Sequence, residues 1–281
     1  MRPEPILHHY PMSPFSEKVR LALGLKQMAC KSVLVPSIAP KPDVVALTGG
    51  YRRTPLLQVG SDIYCDSALI CDVLEHLKPE PSLYPPHLRG VSRVFAQWAD
   101  TTLFWAAMAY NLQPSGAAEA FAGAPPEFVQ AFVADRKAMR TNMTVLRPQD
   151  ATSAYRSYLR RIASMVEEHD FLFGAEACVA DFATYHPLWF TRHRVPALAE
   201  LLAVTPAVGE WMDRLAGPVT LAEHLAASHR VERFAYDWRQ PLDAALLGRA
   251  FPELEAVTIE TRVEDSCAAA QRASSASVIS M

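Results

Sequence analysis

The chain has 281 residues, half of them apolar and a fifth charged, and its 27 Lys and Arg against 30 Asp and Glu give a formal net charge of -3. That is ordinary soluble-protein composition, long enough to bury two cores without a metal or a disulfide framework. The slightly acidic balance excludes a typical nucleic-acid binder, which needs a surplus of Lys and Arg on one face.

The first residues, Met1-Arg2-Pro3-Glu4-Pro5, lack the apolar stretch of a signal peptide, and no apolar run approaches the ~18 residues of a membrane span. A cytoplasmic protein with no membrane partner is expected. Five scattered cysteines (Cys30, Cys65, Cys71, Cys178, Cys267) show no CxxC and no paired Cys/His spacing, so neither a metal site nor a disulfide set is expected.

From Ile6 to Tyr10 the chain reads as a short apolar strand, in which one of His8 and His9 should be buried and the other exposed. Ser13-Pro14 opens a helix carrying Val19, Leu21, Ala22, Leu23 and Leu25. Ser32 to Val35 is a second strand, and Pro42 to Leu47 a weak helix ended by Gly49-Gly50. Thr54 to Val59 and Asp62 to Cys65 form a hairpin around Gly60-Ser61, and a helix follows from Ser67 to Leu77. The order β, α, β, α, β, β, α fits one α/β layer packing over residues 1–80.

Beyond a proline-rich linker from Pro79 to Pro86 every periodic segment is helical, which predicts an all-helical bundle over 87–218. Val91, Phe95, Trp98, Thr102, Trp105, Ala109 and Leu112 lie three or four apart and make a long, mostly apolar stripe. Pro126 to Met139 and Ala151 to Glu168 repeat the pattern, with Tyr155, Leu159, Ile162 and Val166 on one face. Asp181 to Phe190 should be a buried helix, followed by two short ones around Ala197 to Val204 and Val208 to Leu215. The basic residues from Arg136 to Arg161 read as solvated helix faces. Residues 219–265 form an extension that packs back on the bundle, and the small, polar residues 266–281 lack the apolar content for a fixed structure.

Three motifs carry chemistry. In His9-Tyr10-Pro11-Met12-Ser13-Pro14-Phe15 a strand runs into a helix, with Ser13 at the N-cap and Pro14 at the first helical position. Free N–H groups and the positive end of the helix dipole converge there and suit an anion such as a thiolate. Arg52-Arg53-Thr54-Pro55 starts a strand with a proline, and a cis bond there would turn the Thr54 backbone outward. Cys65-Asp66-Ser67 opens a second helix, whose N-terminus suits a carboxylate. Taken singly, each also reads as local structure: a cap, an edge proline, a cap.

In this order and spacing the three motifs resemble those of a cytosolic glutathione transferase, over about residues 5 to 215. Ser13-Pro14-Phe15 is similar to the Ser-Pro-Phe of tau-class enzymes and the Cys-Pro-Phe of omega-class ones, Thr54-Pro55 to the family's cis-proline, and Asp66-Ser67 to its acidic-Ser pair. Phe171-Leu172-Phe173-Gly174 with Ala180-Asp181-Phe182 matches a folding element in which Asp181 is a structural cap, here with Cys178 where the family has Ser or Thr.

The resemblance implies a thioredoxin-like N-terminal domain, an all-α C-terminal domain, a homodimer and a role in detoxification. It also implies a glutathione site in which Ser13 hydrogen-bonds the sulfur as the catalytic group. Phe15, Thr54 and Pro55 would line that site, Asp66 and Ser67 would hold the γ-glutamyl end, and Arg53, or Arg52 in its stead, the glycyl carboxylate. Tyr10 competes for the catalytic role. A small hydrophobic electrophile would lie between the domains, with Tyr10, Trp98, Trp105, Met108 and Tyr110 as pocket candidates. With Ser13 and Ser16 at both positions of a CxxC, thiol–disulfide exchange is disfavoured and conjugation, isomerisation or a lyase reaction is expected. The alternative is a non-catalytic scaffold of the same fold that binds a ligand or a protein partner.

Overall fold

The computed structural model of the chain describes residues 4–140 and 146–217; the extension and tail expected over 219–265 and 266–281 lie outside the described residues. The N-terminal part contains β1 (Ile6–His9), α1 (Pro14–Leu25), β2 (Lys31–Leu34), α2 (Pro42–Thr48), β3 (Leu56–Val59), β4 (Asp62–Cys65) and α3 (Ser67–Leu77). The four strands form one sheet in the order β2-β1-β3-β4, with β1 parallel to β2 and antiparallel to β3, the thioredoxin-like arrangement. Parallel pairing of β1 and β2 requires the crossover that α1 supplies.

Because β1 is an inner strand, both its faces are covered. Leu7 joins the main core with residues of α1 and α3, and on the opposite face Val35, Val44 and Leu56 form a smaller core under α2. The expectation that one of His8 and His9 is exposed is therefore corrected: they are 6% and 4% exposed. Gln58 donates its amide to the Gly60 carbonyl, which turns its oxygen to His8 Nε2 at 3.0 Å. Arg20 donates to His9 Nδ1 at 3.0 Å, so the His9 proton sits on Nε2 and is given to Ser32 Oγ at 2.7 Å.

Burial lowers the pKa of His8 against the pull of its Gln58 contact, and burial, then Arg20 and His8, push His9 from 6.5 down to about 4. A group neutral in the fold but free to charge in the unfolded chain withdraws stability as pH falls below 6.5, for His9 about 2 kcal/mol at pH 5. The urea midpoint is expected to drop between pH 7 and pH 5. His9→Gln, which does not titrate, should flatten that slope.

The proline-rich linker is pinned rather than loose. Lys26, fully buried, donates to the Lys78 and Pro81 carbonyls at 2.6 and 2.9 Å and pairs with Glu75 at 2.7 Å, while Glu75 receives the Leu83 N–H. The Leu83 carbonyl in turn receives the Val179 N–H at 2.8 Å, tying the linker to the bundle.

The elements of the second part among the described residues are helical: α4 (Arg89–Trp98), a π-helical turn (Ala99–Leu103), α5 (Phe104–Asn111), α6 (Pro114–Ala120), α7 (Pro126–Met139), α8 (Pro148–Val166), α9 (Val179–Arg194), a 3-10 turn (Pro196–Leu198), α10 (Glu200–Ala203) and α11 (Pro206–Ala216). Tyr155, Leu159, Ile162 and Val166 are buried on one face of α8, and α9 is buried over most of its length. The stripe along α4 and α5 sits one row away from the buried one. Val91 and Leu112 are exposed, and the inward row is Ser92, Ala96, Ala99, Leu103, Ala107 and Tyr110. Small side chains on that row let α9 approach closely, leaving Phe95, Trp98 and Trp105 to wedge along its flanks.

A similar close approach fixes Gly116 in α6, where an added methyl would lie 2.1 Å from the Asn111 carbonyl oxygen and 2.6 Å from Leu198 Cδ1. Gly116→Ala is expected to cost about 1–3 kcal/mol, read as a lowered thermal midpoint.

Candidate functional site

The register brings the three sequence motifs to one edge of the sheet. His8 pairs with Leu56 and Leu56 with Cys65, so the segments that leave β1, enter β3 and leave β4 all emerge at the same end. Residues 10–13, 54–55 and 66–67 lie there, with the N-termini of α1 and α3. The Thr54-Pro55 peptide is cis.

Ser13 caps α1: its Oγ accepts the Ser16 N–H at 3.2 Å and keeps its own proton to donate. The residue is only 2% exposed, so that proton reaches only a group seated directly on the helix terminus. Ser16 Oγ is fully buried and has no partner among the described residues. Asp66 caps α3 by accepting the Ala68 N–H at 2.8 Å, and does so at a φ of 82°. Such a conformation costs a non-glycine residue about 1 kcal/mol or more, and is kept where the surroundings hold it.

Behind Ser67 lies a buried network that sequence reasoning missed. Lys18, 0% exposed on α1, donates to Ser67 Oγ at 3.5 Å and pairs with Asp100 Oδ2 at 2.5 Å. Asp100 sits in the π-helical turn, whose wider winding turns it inward, and its other oxygen meets His186 Nε2 of α9 at 3.0 Å. His186 Nδ1 is buried without a partner among the described residues, and Lys18 is close by. A proton there would have no acceptor, so the ring is neutral with its proton on Nε2; burial lowers its pKa against the pull of Asp100. Burial also resists charge on Asp100, but Lys18 and His186 outweigh it and hold the carboxyl below its ordinary range. One signal was available: Asp100 is the only charged residue between Arg93 and Glu119.

Phe15, expected to line the glutathione site, points its ring into the bundle, 4.7 Å from Phe104 and 4.6 Å from His186 between ring centres. Trp105 packs edge-on against Phe104 at 4.9 Å. The other candidates carried by the bundle helices are Trp98, Met108 and Tyr110. Trp98 stands on Tyr158, Met108 is 8% exposed, and Tyr110 donates its hydroxyl to the Leu198 carbonyl at 3.1 Å.

A cluster of cations flanks Thr54. Lys41, 6% exposed, donates to Thr54 Oγ1 at 3.1 Å and lies 5.6 Å from the Tyr10 ring centre. Burial, then Arg136 and Arg52, bring its pKa down to about 8, with Asp135 acting the other way. Arg52 is engaged by Asp135, whereas Arg53 is exposed. Arg136 corrects the reading of its stretch as solvated: it donates to the Tyr10 hydroxyl at 3.2 Å and to the Ser37 carbonyl at 2.9 Å. Tyr10 is therefore tied to α7. Nothing in the sequence around Lys41 or Arg136 marks them as neighbours, because they are joined only through the fold.

Asp181 closes the capping box of α9, accepting the Cys178 N–H at 2.9 Å while the Cys178 sulfur faces the Asp181 N–H. Sulfur thus takes the place expected of a hydroxyl. A surface hollow bordered by Glu167, His169, Gly174 and Arg214 shares no residue with the sheet edge. Among the described residues no three His, Cys, Asp or Glu side chains are grouped to hold a metal, and no helix is long and apolar enough to cross a membrane.

An α/β layer with a cis-proline edge, two helix N-termini beside it and a following helical bundle define a glutathione-transferase-like protein. Residues 7–82 match the family described as Glutathione S-transferase, N-terminal domain. A GST-like protein from Pseudomonas syringae is 39% identical over 76% of this chain and 67% of its own, with a TM-score of 0.60. The chain belongs to the glutathione S-transferase superfamily. FtsZ-localized protein A of Caulobacter vibrioides is 26% identical over 189 residues, 65% of this chain and 75% of that protein. A tau-class glutathione S-transferase from mango, 17% identical over 80% of this chain and 99% of its own, shares the fold with a TM-score of 0.56.

Proposed function

We propose that the chain binds glutathione at the edge formed by residues 10–13, 54–55 and 66–67 and activates its thiol for attack on a small hydrophobic electrophile. The observation that carries this reading is the register, which delivers a serine-capped helix, the Thr54-Pro55 turn and a second helix start to one place. The donor set fits the tripeptide: a hydroxyl for a sulfur, Asp66 for an ammonium, and exposed Arg53 for a carboxylate. Glutathione, when bound, supplies the nucleophilic sulfur.

The chain's part is to bind, orient and hold charge. Ser13 donates its free proton to the thiolate, Thr54 pairs its backbone with the cysteinyl part, and Asp66 with Ser67 holds the γ-glutamyl end. Lowering a thiol pKa from about 8.5 by about two units takes about 2.7 kcal/mol. A hydrogen bond to a charged acceptor, about 1.5–3 kcal/mol, with a helix terminus at about 0.3–1, suffices. Phe15 contributes by locking α1 to the bundle, which keeps Ser13 in place. The Ser-Pro-Phe motif supports a tau-like class, and with serine in place of cysteine the reading favours conjugation, isomerisation or lyase chemistry. Homodimerisation, a cytoplasmic location and a detoxifying role belong to the same proposal.

A second reading, a scaffold that binds a protein partner, draws on two observations. Ser13 is nearly sealed and has a structural role as a cap, and one relative is named for its localisation with FtsZ. Calorimetric titration of glutathione separates the two. The enzyme reading expects saturable binding by the wild type, weakened about tenfold in Arg53→Ala by loss of one charge-assisted contact. Absence of binding by the wild type favours the scaffold.

A further inference from the structure

Helix α7 has fourteen residues and buries none of them. Two neighbouring side chains, Asp135 and Arg136, hold it to the N-terminal domain. Asp135 Oδ1 receives the Arg52 guanidinium and the Ala39 N–H, the Arg52 second nitrogen donates to the Asp135 carbonyl at 3.4 Å, and Arg136 reaches Tyr10 and Ser37. The Asp135 carboxylate is 9% exposed. The charged groups facing Lys41 are Arg136, Arg52 and Asp135, three cations counting Lys41 against one carboxylate.

Two features give this contact a purpose. It lies beside Thr54, through Lys41, at the edge where a peptide-like ligand would end in a carboxylate. Arg52 Nη1 and Nη2 both donate to Asp135, so a ligand carboxylate that pairs with these nitrogens competes with Asp135 for them. Releasing α7 breaks only half-buried contacts, chiefly Phe132 on Phe121 at 5.0 Å, because none of its residues is fully buried.

We propose that Asp135 stands in for a ligand carboxylate: through Arg52 it latches α7 over the Tyr10, Lys41 and Arg52 edge, and a ligand carboxylate beside Thr54, drawn there by Lys41, takes Arg52 from it and frees the helix. The identification of that ligand as glutathione, through its glycyl carboxylate shared between Arg53 and Arg52, rests on the function proposed above; the latch itself does not. The exchange favours carboxylate-bearing ligands over their esters, since an ester offers neither cation an ionic partner.

Hydrogen exchange over 126–139, with glutathione and its glycyl ethyl ester as probes, tests this. Asp135→Asn is expected to exchange at least tenfold faster than wild type without ligand and to bind glutathione three- to tenfold more tightly. Glutathione is expected to speed exchange of the wild-type helix, and the ester to leave it unchanged. Unchanged exchange in Asp135→Asn, or slower exchange of α7 with glutathione, overturns the latch. If glutathione binds neither protein, the glutathione reading fails, and millimolar glutarate takes its place. Faster exchange of α7 with glutarate then upholds the latch, and no effect overturns it.

Discussion

Asp181→Ala is expected to unfold the helical bundle under mild conditions, at a cost of about 3–5 kcal/mol. The Asp181 side chain accepts three hydrogen bonds in a fully buried place: from Leu172 N at 2.9 Å, from Cys178 N at 2.9 Å and from Trp211 Nε1 at 3.0 Å. These donors belong to the loop before α9, to the start of α9 and to α11, so one carboxylate joins three segments. Truncation leaves three buried donors without acceptors, each costing about 1–3 kcal/mol. Urea unfolding followed by circular dichroism reads the loss. Asp181→Asn, which keeps one acceptor oxygen, should recover part of it, and a stability within 1 kcal/mol of wild type for the alanine variant would remove Asp181 from this role.

The second large effect is expected at Lys18. Lys18→Met leaves Asp100, with a side chain 15% exposed, facing only neutral His186, at a cost of about 3 kcal/mol at pH 7. Its pH dependence is the distinguishing sign. With Lys18 present the Asp100 carboxyl lies below its ordinary 3.8, so its stabilisation is present above that value and is lost only in more acid solution. Without Lys18, burial raises the Asp100 pKa, so the folded variant takes up a proton first. The gap between wild type and Lys18→Met should therefore narrow as pH falls from 7 towards 4. Adding Asp100→Asn to Lys18→Met should recover about half of the loss, and additive losses in this double-mutant cycle would show that the two side chains do not act as a pair.

What was legible in the sequence was mostly local. The strands at Ile6 and Leu56, the caps at Ser13 and Asp66 and the apolar face of α8 follow from spacing and capping within a few residues. What was not legible depends on residues far apart in the chain. Lys18 and Asp100 are 82 positions apart, and Arg136 and Tyr10 are 126 apart. On α4 the large aromatic side chains mark a row beside the buried one, because α9 packs against small residues such as Ala96 and Ala99 that carry no strong signal in the sequence. His8 and His9 alternate in direction as a strand requires, yet both are buried, since alternation says nothing of an inner strand covered on two faces.

The most direct test of thiol activation is ultraviolet difference absorbance at the thiolate band, with glutathione titrated into wild type and Ser13→Ala from pH 5 to 9. The account predicts that the wild type ionises bound glutathione about two pH units below the free thiol. Ser13→Ala should still bind it, with a cap loss of about 1 kcal/mol in stability, but ionise it near the free value. Bound glutathione that ionises alike in both proteins would contradict the account and leave Ser13 as a helix cap.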